Sequence, residues 1–191
     1  GYNTKRIRLC DQTPRVERMS EILFIIVQLV FASVFFFLCI AFATGAPFVP
    51  SKRGAKEAMI RLAKLTIGTR VVDLGSGDGR LLFLAAKQGA LTTGFEINPY
   101  LVLLTRLRAL LGHYKGSVRV YWANLWKAHI SDADVVFVYL LPWRMEELAA
   151  KMTKELKTGT LVISNSFIFP KWEIVDKDEA NHIYVFRIPK K

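Results

Sequence analysis

Cysteine and histidine are scarce in this chain of 191 residues, at two and three copies, and each scarcity removes a class of chemistry. Cys10 lies in a polar stretch and Cys39 in an apolar one, which leaves neither a disulfide framework nor a thiolate metal site. His113, His129 and His182 are distant in sequence and lack metal-ligand spacing, so surface or core histidines account for them. No internal repeat or low-complexity segment is present. The length excludes two sizeable domains and suits one α/β unit with a full core. Acidic residues are the minority, 16 against 27 Lys and Arg, for a net charge of +11. The basic residues are spread along the chain and do not interleave with aromatics as a base-stacking surface would. Anionic lipid headgroups are therefore favoured over nucleic acid as the partner of that charge.

Apolar residues, at 52%, are in excess, and they concentrate in the N-terminal third. Residues 22–44 are almost unbroken in apolar character, interrupted by Gln28 and Ser33, and at a helical rise they are long enough to cross a hydrocarbon layer of roughly 30 Å. The expectation is a single membrane-spanning helix in contact with the lipid bilayer. A cleaved signal peptide, with Ala41-Phe-Ala43 as its small-x-small site, and a buried core helix are the alternatives. Residues 1–21 read as a flexible basic tail without fold, and Gly1 in place of methionine points to a processed or engineered start. Residues 45–69 read as a linker, with Pro47 and Pro50 as helix stops, followed by an amphipathic helix over 52–65. Basic residues flank the span on both sides, so charge alone does not orient it.

From residue 70 onward, strand and helix patterns alternate. Strands are expected over 70–74, 92–95, 118–122, 134–140 and 160–164, and helices over 80–88, 99–111 and 144–156. Two further strand-like runs, 172–175 and 182–188, have no helix between them and read as an antiparallel pair. That is a doubly wound, mostly parallel α/β sheet. The first strand breaks into Asp73-Leu-Gly-Ser-Gly-Asp-Gly79, whose alternate glycines let backbone approach a ligand without an intervening Cβ. The following helix start faces the same place with its free amides, which suits a carboxylate. The spacing differs from the G-x-G-x-x-G of dinucleotide sites. About twenty residues on, the next strand closes on Glu96, where a carboxylate can accept from both ribose hydroxyls. Together these signals point to S-adenosylmethionine. That cofactor is made inside cells, so the domain after the span should face the cytoplasm or an equivalent inner compartment, the mitochondrial matrix side in a eukaryote.

The glycine turn, Glu96 and the closing strand pair over roughly residues 50–191 resemble the class I, seven-β-strand S-adenosylmethionine-dependent methyltransferases. Pro47-Phe-Val-Pro-Ser51, Gly94-Phe-Glu-Ile-Asn-Pro-Tyr-Leu-Val102, Asn124-Leu-Trp-Lys127 and Phe167-Ile-Phe-Pro-Lys-Trp172 narrow the resemblance. They are similar to the membrane-associated lysine methyltransferases of adenine nucleotide translocase and ATP synthase c-subunit, and to their prokaryotic relatives. The resemblance implies a Rossmann-like seven-stranded sheet and methylation of lysine on a membrane protein. The family's usual Asp-Leu-Trp-Lys stands here as Asn124-Leu-Trp-Lys127, so a general-base role cannot be carried onto Asn124. Asp73 is expected at the cofactor's amino group and Gly75, Ser76 and Gly77 at its backbone cradle. Glu96 is assigned to ribose, Ile97 and Asn98 to the border of adenine, and Asn124 and Leu125 to its other side.

Methyl transfer needs positioning more than an acid-base pair, yet a lysine of ordinary pKa near 10.4 must first lose a proton. Tyr139, at the end of the fourth strand, is the candidate catalytic residue for orienting that amine. Packing alone would also account for it. Asn165 and Ser166 are weaker acceptor-side candidates. The run Tyr139-Leu-Leu-Pro142 lacks the Asn/Asp-Pro-Pro-aromatic pattern of nucleic-acid amino methyltransferases. A lipid or small amphiphile as acceptor, and a non-catalytic cofactor-binding assembly factor, are the alternative functions.

Overall fold

The computed structural model describes residues 13–46, 53–114 and 116–189. The quoted motif at residues 47–51 and the first part of the basic tail lie outside them. Residues 1–37 and 38–191 form two compact units. The first consists of most of α1 (Thr13–Thr44). This helix begins nine residues before the expected span, so the part of the basic tail from Thr13 onward is helical rather than unfolded. The apolar stretch Val16–Thr44 has no buried share, and Leu23, Phe24 and Phe31 are exposed, which removes the buried-core-helix alternative.

The second unit is a seven-stranded sheet of order β3-β2-β1-β4-β5-β7-β6. Its strands are β1 (Arg70–Leu74), β2 (Leu91–Glu96), β3 (Val118–Trp122), β4 (Val135–Val138), β5 (Leu161–Asn165), β6 (Ile174–Asp178) and β7 (Ile183–Arg187). The first five pair in parallel, and β7 runs antiparallel between β5 and β6. The helices are α2 (Arg53–Ala63), α3 (Arg80–Lys87), α4 (Pro99–Leu111) and α5 (Met145–Glu155).

Alternation along the strands divides the core. Val71, Val135, Phe137 and Ile163 point to α2 and α3, while Val72, Leu74, Val136, Val138 and Val162 point to α5 and the segment after β3. Both faces are buried, as the β-branched runs demand. The β3-to-β4 crossover carries only a 3-10 turn, Leu125–Lys127, where other crossovers carry a helix. One face near the β3 edge is therefore open, and a cavity of about 560 Å³ lined by Thr93, Phe95, Tyr121 and His129 lies there.

Two boundaries differ from expectation. β6 begins at Ile174, not at Trp172, because the Trp172 ring turns inward to stack on Phe169, 4.5 Å between centroids. Tyr139 lies just past the end of β4.

Candidate functional site

The site forms at the carboxyl edge of the parallel strands, where β1 and β2 end side by side. Gly75, Gly77 and Gly79 all take positive φ, at 86°, 56° and 76°, which explains the alternating glycines. Gly79 also faces Thr105 of α4: a Cβ there would lie 2.5 Å from Thr105 Cγ2. Thr105 Oγ1 in turn donates to the Gly77 carbonyl at 3.4 Å. Asp78 braces the turn from outside, paired with Arg80 at 2.5 Å and Arg108 at 3.2 Å.

Glu96 is buried and held from two sides. One carboxylate oxygen accepts from Gly77 N at 2.8 Å and the other from Asn98 N at 2.8 Å. A carboxylate has about four acceptor positions, so each oxygen retains one for a diol. Burial pushes the Glu96 pKa up, and the backbone amides of Asn98, Gly77 and Ile97 oppose that shift. Asp73 is buried beside it, and its pKa is raised to about 7, first by burial and then by the Glu96 charge. A buried carboxylate with this pKa is a receptor for a cation, because a positive partner restores its charged form.

Asn98 accepts from Tyr100 N at 2.9 Å and caps α4, and the Trp122 indole donates to the Ile97 carbonyl at 2.9 Å. The loop bordering the expected adenine position is therefore fixed from both flanks. Asn124 Oδ1 accepts from Trp126 N at 3.0 Å, capping the 3-10 turn that buries Leu125. An aspartate would cap equally well. Ser76 Oγ is buried without a hydrogen-bond partner among the described residues. It lies where a Cβ on Gly94 would come within 2.5 Å. Tyr139 is half-buried, its ring stacked on Phe167 at 6.4 Å between centroids. Asn165 is buried at the end of β5, and Ser166 follows with φ 69°.

The structure thus gathers Asp73, Gly75, Ser76, Gly77, Glu96, Ile97 and Asn98 around the ends of β1 and β2. Asn124 and Leu125 follow the neighbouring β3, and Tyr139 follows β4. Sequence reasoning missed Thr105, Arg108 and the Asp78 clamp, all long-range partners. It also missed the last turn of α1: Trp126 Nε1 donates to the Thr44 carbonyl at 3.1 Å, and Ala46 Cβ lies 3.2 Å from where a Gly75 Cβ would stand. Only the small residues Gly45 and Ala46 signal that approach. The glycine cradle, the doubly anchored Glu96 and the cation-seeking Asp73 fit the cationic nucleoside S-adenosylmethionine.

Residues 73–176, more than half of the chain, match the family described as the ANTKMT methyltransferase domain. The chain belongs to this family. Its methyltransferase domain is 38% identical over 126 residues to the ATP synthase c-subunit lysine N-methyltransferase of Mus musculus, covering 66% of this chain and 51% of that protein. The chain thus spans about half the length of that relative. A protein-lysine N-methyltransferase of Saccharolobus islandicus is 32% identical over 151 residues, covering 74% of this chain and 91% of the relative. Among solved structures, an RNA methyltransferase from Salinibacter ruber in complex with S-adenosyl-L-homocysteine is 34% identical. It superposes with a TM-score of 0.71, covering 75% of this chain and 95% of the other. The putative methyltransferase yhhF of Escherichia coli, at 18% identity and a TM-score of 0.62, shares the fold.

Proposed function

We propose that this chain is an S-adenosylmethionine-dependent protein-lysine N-methyltransferase, anchored in a membrane by α1 and acting on a membrane protein. The observation that carries the cofactor assignment is Glu96, tied to Gly77 N and Asn98 N beside the buried Asp73. Asp73 would hold the cofactor's amino group, the Gly75–Gly77 backbone its amino-acid portion and Glu96 its ribose. Ile97, Asn98, Asn124 and Leu125 would enclose adenine. Bound there, the cofactor supplies an electrophilic methyl group, and the chain has chiefly to position an acceptor. Tyr139, just beyond β4, would orient the acceptor amine with its hydroxyl and favour its neutral form by excluding water.

The lysine acceptor is supported by the archaeal relative, which this chain matches over nearly its whole length. The membrane substrate is supported by relatives named for the ATP synthase c-subunit and for adenine nucleotide translocase, together with the exposed apolar α1. The hydrogen bond from Trp126 to Thr44 supports a retained anchor over a cleaved signal, since cleavage after Ala43 would remove the helix that Thr44 ends. An intracellular cofactor supports a catalytic domain on the cytoplasmic or matrix side. A second reading, RNA as acceptor, is favoured by the name of the Salinibacter ruber relative and by the charge of +11.

The test is incubation of the detergent-purified chain and a Glu96→Ala control with methyl-labelled cofactor, membranes and RNA from its source. Protein, lipid and nucleic acid are then separated. Label on lysine of a membrane protein, absent in the control, is the expected result. Label that ribonuclease removes, or label that extracts with lipid, would overturn the lysine assignment.

A further inference from the structure

The last turn of α1 belongs to the same compact unit as the sheet, and the catalytic domain grips it by several independent contacts. Trp126 Nε1 takes the Thr44 carbonyl at 3.1 Å, and Leu141 N takes the Gly45 carbonyl at 2.8 Å. Ala46 N returns to the Ala41 carbonyl at 3.0 Å, closing the helix end with Gly45 at φ 88°. The Arg144 guanidinium lies 4.3 Å from the Trp126 ring centroid, and its aliphatic stem lies against Gly45. Each carbonyl left free by the helix end that these donors reach is satisfied by the loops flanking the site.

Against this gripped turn, two large aromatics stay in the open. Phe42 and Trp143 pack edge-to-face at 5.8 Å between centroids, yet they are 58% and 61% exposed. An aromatic pair so exposed is costly in water unless something apolar covers it. The candidate span indicates the cover. At 1.5 Å per residue, its 29 residues, Val16–Thr44, measure about 44 Å, the thickness of a bilayer including its headgroup layers. Phe42 is two residues from that end and therefore stands at headgroup depth, where tryptophan is enriched because its ring is apolar and its N–H is wet. Trp143 is fixed beside Phe42, and exposed Lys127 follows Trp126 with a charge suited to anionic headgroups.

We propose that Trp143 and Phe42 form an interfacial foot, resting in the lipid headgroup layer and holding the loop after β4 at a fixed height above the hydrocarbon. The foot rests on the reading of α1 as a membrane span. Its consequence is selection by height: Tyr139 and the acceptor side of the site, four residues before Trp143, meet lysines that emerge at the bilayer surface. Lysines far from the membrane are left out of reach.

The full chain reconstituted in phosphatidylcholine vesicles tests the foot. One vesicle set carries a lipid brominated near the headgroup end of its acyl chains and another a lipid brominated near the chain ends. Tryptophan emission of the wild type is compared with that of Trp143→Phe, which keeps an aromatic on Phe42, and carbonate extraction reports whether α1 is inserted. The expected result is retention in the vesicles, with stronger quenching by the shallow bromine than by the deep one, and loss of that shallow share in Trp143→Phe. Retention with equal quenching of the two proteins would overturn the foot and leave the anchor standing. Release by carbonate would overturn the anchor and the foot together.

Discussion

Asp73 makes cofactor binding a reporter of pH. Folding lifts its pKa from 3.8 to about 7, so the folded apo protein holds more protons than the unfolded chain between those values. The contribution of Asp73 to stability is therefore fully present below about pH 3.8 and is lost as pH rises to 7, a change on the order of 4 kcal/mol. A cationic ligand reverses the preference, because the charged carboxylate pairs with it. Below pH 7, binding must expel the Asp73 proton, and the dissociation constant should rise about tenfold per pH unit. Calorimetric titration with S-adenosylmethionine at pH 8 and pH 6 should thus show about tenfold weaker binding at the lower pH. Proton uptake or release can be read from the dependence on buffer ionisation enthalpy. Asp73→Asn should bind more weakly at pH 8 and lose most of the pH dependence, and its apo melting temperature should no longer fall from pH 5 to pH 8. A wild-type affinity that is flat over this range would refute the argument that Asp73 waits in the apo site as a half-neutralised receptor.

Other substitutions probe the same site. Glu96→Gln turns an amide N–H₂ toward Gly77 N or Asn98 N, which costs about 1–3 kcal/mol of stability by urea unfolding and weakens cofactor binding in titration. Gly94→Ala drives a Cβ to 2.5 Å from Ser76 Oγ and 2.6 Å from Leu82 Cδ1, and should cost about 1–3 kcal/mol, read in the same unfolding assay. Asn124→Asp keeps the acceptor for Trp126 N, so stability should move by less than about 0.5 kcal/mol, whereas Asn124→Ala should lose about 1 kcal/mol. Trp126→Phe deletes the donor to the Thr44 carbonyl and should cost about 1 kcal/mol, seen as faster proteolysis after residue 44 as well as a lower unfolding midpoint.

Much of the domain was legible because its signals are local. Val71-Val72 and Val135-Val136 are short β-branched runs, and each glycine of the turn answers to a φ that its own backbone adopts. Asn98 followed by Pro99 and Asn124 ahead of the 3-10 turn are caps written within three residues of sequence. Boundaries failed where a distant partner decided them. The inward stacking of Trp172 on Phe169 delays β6, and the helicity of α1 back to Thr13 overrides a basic composition that reads as tail.

The sequence by itself determined the strand-turn-helix that cradles a ligand, the acidic end of β2 and the apolar length of α1, since dihedral freedom, charge and hydropathy are properties of neighbouring residues. Only the tertiary structure decided that Glu96 spends one lone pair on Gly77 N and one on Asn98 N, that Thr105 fits under Gly79, and that Trp126 and Leu141 grip the end of α1. Those contacts join residues between two and 96 positions apart. No periodicity encodes them, because they exist only once the parallel sheet has brought its strand ends to a single edge.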